Sequence, residues 1–210
     1  MSAPPIDEFP LFPLGIVALP GEGIPLHIFE DRYRRMIEHC LEGEGEEFGI
    51  LWLSDEELKR VGCACAIERV VERMEDGRMN IVVRGTRPFE LLERQDELPY
   101  PAGVVTFVAD EQSEVPEETV GSAARELYRE LVRQATDREL ADEELSSLTA
   151  YGMAATVEFE LADKQQLLEL RSENARLRLL TTLLGAALER LELLERAQLR
   201  AMSNGKVRFG

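Results

Sequence analysis

The sequence predicts an α+β protein in which a β-rich first half is followed by a helical second half. Up to about residue 110, short β-rich runs alternate with Gly and Pro, and beyond it apolar residues recur at helical spacing. The stretch at 110–118 is acidic, contains a proline and lacks an apolar period, which is typical of a boundary. We therefore predict two subdomains, at residues 1–112 and 113–210.

The first strands and the first helix are predicted from proline placement and periodicity. Residues 9–20 are apolar and punctuated by prolines, which predicts strand pieces along a sheet edge, because proline cannot donate to a ladder. Residues 24–29 predict a second strand. An apolar stripe of period 3.6 predicts a helix at 32–41, and a buried strand follows at 48–53.

The clearest predicted hairpin joins residues 61–71 to residues 78–83 through Asp76-Gly77, a pair that favours a turn with positive φ. Residues 88–93 and 102–108 predict two more strands. About six short strands around one helix are typical of a small, partly closed barrel or a curled sheet. The Ser54 to Glu57 segment predicts a short helical turn, because it matches a capping box.

The second half is predicted to consist of helices. Apolar spacing predicts helices around residues 127–135 and 148–159, and Asp163 predicts the N-cap of another. A long helix with a leucine stripe is predicted from Ser172 to the Asn-Gly pair at 204–205, which suits a C-cap. The stripe suits a coiled coil with a partner helix or packing inside a helical bundle, and we favour the bundle.

Composition excludes several classes of partner. The 210 residues include 24 Lys+Arg and 41 Asp+Glu, which give a formal net charge of −17. Such a balance argues against a nucleic-acid-binding face and against a polybasic membrane anchor, since both require clustered Lys and Arg. No apolar run approaches the ~18 residues of a membrane span, and no signal peptide is visible. Because the 3 cysteines also suit a reducing compartment, we expect a cytoplasmic protein that binds neither nucleic acid nor membranes.

The residues that could carry chemistry form no catalytic or metal motif. The possible metal ligands are Cys40, Cys63, Cys65, His27 and His39. The Cys-Ala-Cys spacing places two thiols on one face of a strand without a chelating turn, so buried structural cysteines are favoured over a metal site. A P-loop, a nucleophile elbow and a catalytic triad are absent, and no lysine lies in a setting that suggests a Ser–Lys dyad. We predict no enzyme, no metal and no cofactor.

An ordered series of short motifs resembles one known family. The motifs are FPLFPL at 9–14, VALP at 17–20, IPLHIFEDRY at 24–33, GIL at 49–51, IVVRGTRP at 81–88 and LADKQQLLE at 161–169. From about residue 9 to about residue 194, the chain resembles the amino-terminal substrate-binding domain of Lon proteases. The resemblance implies a PUA-like pseudo-barrel with one interposed helix, followed by a helical bundle that ends in a long helix.

The resemblance also implies a function. In Lon proteases this domain helps to select unfolded or tagged proteins, and ATPase and protease domains follow it. Because the sequence ends at Gly210, we expect a stand-alone, non-catalytic module that binds an unfolded or a specific protein or peptide, as an adaptor in protein quality control. The alternative is a small-molecule-binding or hydrolytic protein with a site near His27. The oligomeric state stays open.

The candidate peptide-binding residues lie where the resemblance is densest or where an acidic chain carries arginine: Pro20, Pro25, Phe29, Arg32, Tyr33, Arg84 and Arg87. The prolines also suit a corner of the chain, and the two aromatic residues, four apart, also suit the core. The last two arginines suit either recognition of a carboxylate in a partner or an ion pair within the chain. We expect any binding patch to be less acidic than the rest of the surface.

Overall fold

A computed structural model describes residues 4–43, 47–55, 57–110 and 117–204. The elements follow in the order β1 (Ile6–Leu14), β2 (Gly23–Ile28), α1 (Asp31–Glu42), β3 (Glu47–Trp52), β4 (Val61–Arg73), β5 (Met79–Gln95), β6 (Ala102–Phe107), α2 (Glu118–Thr136), α3 (Asp142–Ser146), α4 (Ala150–Ala154), α5 (Leu161–Glu169) and α6 (Glu173–Asn204). The contacts divide the chain into two compact units. The first contains Met1–Ser113 and Thr149–Glu173, and the second contains Glu114–Leu148 and Asn174–Gly210.

The strands of the first unit form one mixed sheet that closes on itself. Its order is β2-β5-β4-β3-β1-β6, and an additional pairing joins β5 to β6. The ring closes because β5 is 17 residues long. The first part of β5 pairs with β2 and its last part pairs with β6, while β4 pairs along most of its length. The predicted α+β fold, a β-rich pseudo-barrel with one interposed helix followed by helices, is confirmed.

An apolar core occupies the first unit. The Phe9 and Phe89 rings meet edge to face with their centroids 5.5 Å apart, and the Phe107 ring lies 5.8 Å from that of Phe9. Such aromatic pairs contribute about 0.5–1.5 kcal/mol each beyond the burial of their area. The remaining buried members of this cluster are Leu11, Leu51, Ala64, Leu91 and Val105.

Helix α1 buries one stripe, as its periodicity predicts. Its buried residues are Tyr33, Met36, Ile37 and Cys40, which recur at helical spacing. The Tyr33 ring lies with its centroid 4.1 Å from that of Phe12 in β1. The stripe therefore faces the sheet.

Strand β1 is not an edge strand, so the edge position predicted for residues 9–20 is wrong. β1 pairs with β6 as far as Pro10 and with β3 from Leu11 onward. Both prolines of β1, Pro10 and Pro13, therefore lie where one side of the strand has no ladder, and this tolerates a missing N–H. Among the described strands, β2 is the one that pairs with a single neighbour.

The β4–β5 hairpin is confirmed, and Gly77 in its turn has a φ of 84°. The strands predicted at 78–83 and 88–93 are parts of the single strand β5. Proline at position 88 does not end this strand, because the register with β4 is irregular and shifts three times along the hairpin.

Gly85 in β5 allows another segment of backbone to cross very close to it. A Cβ atom there would lie 2.1 Å from the carbonyl oxygen of Leu19. The Gly85 N–H donates to the Glu22 carbonyl at 2.9 Å, and the Gly21 N–H donates to the Gly85 carbonyl at 2.8 Å. The connection between β1 and β2 is thereby held against β5.

The helix boundaries between residues 148 and 169 differ from the predicted ones. In place of one helix at 148–159, the short helix α4 ends at Ala154, and its N-cap Thr149 accepts the Gly152 N–H at 3.1 Å. Helix α5 begins at Leu161, so Asp163 lies in its first turn rather than at its N-cap. A carboxylate in the first turn still interacts favourably with the helix dipole.

The turn predicted at Ser54 to Glu57 keeps part of its capping chemistry without a helix. The Ser54 hydroxyl accepts the Glu57 N–H at 3.1 Å, but Leu53 and Leu58 form an isolated antiparallel bridge. The two leucines that flank this turn thus pair as residues of antiparallel strands do. Residue 56 lies outside the described residues.

The predicted division at residues 112 and 113 also differs from the observed units. Residues 149–173 belong to the first, β-rich unit. The reason is α5, whose Gln165 donates from Nε2 to the Val61 carbonyl in β4 at 3.0 Å. Leu167 and Leu168 in the same helix are 0% and 1% exposed.

The second unit contains α2, α3 and α6 from Asn174 onward. Helix α6 has the predicted leucine stripe, of which Leu177, Leu180, Leu184 and Leu188 are buried. It ends at Asn204, and the predicted C-cap glycine at 205 lies outside the described residues. Within the described part of the chain, no helix has both the length and the apolar character needed to cross a bilayer.

Candidate functional site

A cleft of about 390 Å³ lies in the first unit. Its apolar lining comes from two segments that are distant in sequence, the β1–β2 region and the connection from α4 to α5. We call it the Lys164 cleft, and its principal apolar residues are Ile16, Val17, Ile24, Val157, Phe159 and Leu161. The connection from α4 to α5 is not helical, which brings both Val157 and Phe159 into the lining.

The polar lining of the Lys164 cleft consists of Thr156, Glu158 and a shielded ion pair between Glu22 and Lys164. The Lys164 ammonium donates to the two carboxylate oxygens of Glu22 at 2.7 and 2.8 Å, and the Leu19 N–H donates to the same carboxylate at 2.9 Å. The Lys164 and Glu22 side chains are only 12% and 19% exposed. Among the described residues, Glu22 is the hydrogen-bond partner of this ammonium, so one of its three donors remains for an oxygen atom that enters the cleft.

The predicted site residues near β2 differ in their exposure to solvent. Pro20 is half-buried, whereas Pro25 is exposed on the edge strand. Phe29 is 60% exposed, and its ring stacks on that of His27 with the centroids 5.8 Å apart. Tyr33 is buried, and burial raises its pKa. The interpretation that these two aromatic residues pack in the core is therefore correct for Tyr33 and wrong for Phe29.

The three candidate arginines form ion pairs within the chain. Arg32 pairs with Glu30 at 2.8 Å and lies 4.6 Å from the centroid of the Tyr33 ring. Arg84 pairs with Glu68 at 3.0 Å. Arg84 therefore forms the ion pair that was one of the two alternatives for it.

Arg87 lies in a different environment from Arg84. It pairs with Glu47 at 2.8 Å, and its guanidinium lies 3.6 Å above the centroid of the Phe107 ring. The two arginines thus bind different carboxylates on different strands, β3 and β4. Each of these two positive charges is therefore matched by a carboxylate within the chain.

His27 has a defined hydrogen-bonding state. Its Nδ1 lies 2.7 Å from Asn80 Oδ1, and Asn80 donates from Nδ2 to Glu72 at 2.9 Å. Because the Asn80 amide donates to a carboxylate, its oxygen faces the imidazole, so Nδ1 carries a proton and donates. The Nε2 atom of the neutral ring is then an acceptor on an exposed side chain.

The cysteines occupy structural positions. Cys40, Cys63 and Cys65 are all buried thiols. Burial raises the pKa of Cys63 well above its usual value, and the neighbouring Cys65 raises it further. Across the described ranges, no group of three or more His, Cys, Asp or Glu side chains is arranged to hold a metal ion.

Sequence reasoning missed the Glu22–Lys164 pair. The two residues are 142 positions apart, so no local pattern connects them. One signal existed: Lys164 lies inside the LADKQQLLE motif, and Glu22 lies between the VALP and IPLHIFEDRY motifs. Each partner of the ion pair thus lies in or beside a motif that carries the resemblance, although neither motif indicates the contact.

Comparison with solved structures identifies the fold as that of Lon amino-terminal domains. A Lon N-terminal domain protein from Xanthomonas campestris covers 84% of this chain and 98% of its own, with a TM-score of 0.63 and 27% identity. The N-terminal domain of a Mycobacterium avium complex Lon protease gives a TM-score of 0.66 at 21% identity, over 85% of this chain and 98% of that one.

Sequence comparison identifies the family. The family model of the ATP-dependent protease La (LON) substrate-binding domain matches residues 8–186. The chain belongs to this family. The Lon protease of Anaeromyxobacter dehalogenans is 28% identical over 200 residues, which are 88% of this chain and 24% of that protein. The Lon protease of Xanthomonas oryzae is 25% identical over 220 residues, 96% of this chain and 26% of the relative. The chain thus spans about a quarter of the length of these relatives.

Proposed function

We propose that this protein is a non-catalytic module that binds polypeptides, and that it presents them as an adaptor in protein quality control. The observation that carries the proposal is membership of the Lon substrate-binding family over residues 8–186. The Lys164 cleft supports it, because apolar residues from two segments together with the Lys164 ammonium suit an apolar side chain and an adjacent main-chain oxygen.

The proposed contact is specific in its chemistry. An apolar side chain of an unfolded segment fills the space beside Val157 and Phe159, and a carbonyl or terminal carboxylate accepts the remaining Lys164 donor. A folded protein buries such side chains, so the cleft distinguishes unfolded from folded chains. Pro25 removes a donor from the outer side of β2, which disfavours recognition by added strand pairing.

Fluorescence anisotropy with labelled peptides tests the proposal. We expect saturable binding to peptides with bulky apolar residues and at least tenfold weaker binding when those residues are replaced by Ser. Val157→Asp places a charge in the cleft and should abolish binding. Val71→Asp is the matched control, because Val71 is 59% exposed on β4, and it should bind normally. Equal binding by both variants would exclude the Lys164 cleft.

The runner-up is the hydrolytic or small-molecule-binding protein with a site near His27. One observation favours it. The hydrogen bonds that link Glu72 to Asn80 and Asn80 to His27 fix the tautomer of His27, as orienting groups do for a general base. This reading requires turnover of a substrate by the purified chain, lost in His27→Ala. Binding of peptides that survives His27→Ala and is lost in Val157→Asp would separate the two functions.

A further inference from the structure

A second cleft of the first unit lies between α5 and the turn that follows β3. It has a volume of about 450 Å³, and we call it the Trp52 cleft after its aromatic wall. Its polar lining includes Asp55, Lys59, Gln165 and Glu169. It shares no residue with the Lys164 cleft.

Gln165 in the wall of this cleft is a buried amide with one unsatisfied atom. Its side chain donates from Nε2 to the Val61 carbonyl at 3.0 Å and to a Glu169 carboxylate oxygen at 2.8 Å. Both partners are acceptors, so the amide cannot be flipped without losing both bonds. Gln165 is 4% exposed, and its Oε1 has no hydrogen-bond partner among the described residues. A buried amide oxygen without a hydrogen bond is unfavourable, so a ligand that supplies an N–H donor would stabilise it.

The other polar groups of the cleft also favour a donor with positive charge. The Asp55 and Glu169 carboxylates line it, and the cation that lines it, Lys59, is already paired with Glu57. The Lys59 ammonium lies 5.9 Å from the centroid of the Trp52 ring, at the outer limit of a cation–π contact. Because Trp52 lines the cleft, its ring is the aromatic surface on which a cation in the cleft would stack.

We propose that the Trp52 cleft binds the guanidinium group of an arginine side chain in a polypeptide partner. A guanidinium is planar, stacks on an aromatic face and presents five N–H donors in a fixed plane, whereas an ammonium concentrates its charge at one point. Asp55, Glu169 and Gln165 line the same cleft as Trp52, so the proposed guanidinium would donate to their oxygens while it stacks on the ring. This site does not depend on whether the Lys164 cleft binds apolar segments.

Trp52 makes the test direct, because it is the only tryptophan of the chain. We would titrate the full-length protein with Nα-acetyl-arginine amide, with the citrulline analogue, and with short peptides that contain one arginine or one citrulline, and follow tryptophan fluorescence. The proposal expects a saturable change with arginine and at least tenfold weaker binding with citrulline. Tighter binding of the peptide than of the free amide identifies a polypeptide as the partner, and equal affinity would overturn that part of the proposal.

Variants that remove a negative charge and variants that remove a positive charge are expected to change the affinity for arginine in opposite directions. Asp55→Asn and Glu169→Gln should each weaken arginine binding, and the second keeps an acceptor for Gln165. Lys59→Gln removes the competing cation and should tighten binding by roughly threefold, the size of one partly screened charge interaction. Glu75→Gln, an exposed charge in the β4–β5 turn, is the matched control and should bind as the unmodified chain does. An equal response to arginine and citrulline, or weaker binding in Lys59→Gln, would overturn the proposal.

Discussion

The ion pair between Glu22 and Lys164 should be strongly coupled, and a double-mutant cycle measures the coupling. The two charges are 2.7 Å apart and mostly shielded, with 19% and 12% of their side chains exposed. Removing one partner leaves the other as an uncompensated, poorly hydrated charge, which costs about 3 kcal/mol at the lower end of the range for buried pairs. Glu22→Gln keeps an acceptor for the Leu19 N–H, so this variant isolates the charge.

The double variant Glu22→Gln/Lys164→Met should cost no more than either single variant. Once both charges are absent, no unpaired ion is left in the cleft, so the expected coupling energy is about 3 kcal/mol or more. Urea unfolding followed by Trp52 fluorescence measures it, because the single tryptophan lies in the first unit. The exposed pair Arg84–Glu68 is the control and should couple by less than about 1 kcal/mol. Additive single costs at Glu22 and Lys164 would refute the reasoning.

Three further outcomes follow from single positions. Gly85→Ala should destabilise the first unit by about 3 kcal/mol or more in urea unfolding, since its Cβ would overlap the Leu19 carbonyl. Gly15→Ala is the control and should be nearly neutral, because the space around Gly15 is open. Hydrogen bonds from Arg133 and Gln134 lower the pKa of Glu130 from 4.5 to about 2. The contribution of Glu130 to stability should therefore be present above pH 4.5 and be lost as the pH falls toward 2. Glu130→Gln should remove that pH dependence. Cys63 should resist alkylation in the folded protein and react only after denaturation, which mass spectrometry detects.

Local patterns predicted the elements that depend on local chemistry. The Asp76-Gly77 pair predicted a turn because glycine reaches the positive φ that the hairpin needs, and Gly77 has that φ. The stripe in α1 predicted its buried face, because one helix face must cover the sheet. In these cases the information lies within a few neighbouring residues.

The burial of Phe29 was predicted wrongly because a helical spacing was assumed where a strand alternation applies. Its spacing of four from Tyr33 suggested a shared helix face, but α1 begins only at Asp31. Phe29 instead continues the alternation of β2, in which Pro25 and His27 also point outward and are exposed. A period of two, extended one residue past the strand, would have placed Phe29 at the surface.

Partners that are distant in sequence could not be predicted. The position of β1 between β3 and β6 depends on the closure of the ring by β5, and closure depends on pairings that span most of the first unit. Both clefts have the same origin, because each combines residues from the first 60 positions with residues of the α4–α5 region, about 100 or more positions later. None of the candidate residues predicted from the sequence lies in either lining, since no local pattern joins two segments so far apart.

The limits of the first unit provide a last prediction. A fragment of residues 1–113 lacks α5, and so it lacks the Gln165 bond to Val61 and the two buried leucines at 167 and 168. Loss of two fully buried leucines alone corresponds to roughly 3–6 kcal/mol, which is a large share of the stability of a small domain. We expect this fragment to unfold at a much lower urea concentration than the full chain, as followed by Trp52 fluorescence.

A fragment in which a flexible linker joins residues 1–113 to residues 149–173 should recover most of the difference. If the shorter fragment unfolds at the same midpoint as the full chain, residues 149–173 are not part of the folding unit, and the division at residues 112 and 113 is the correct one.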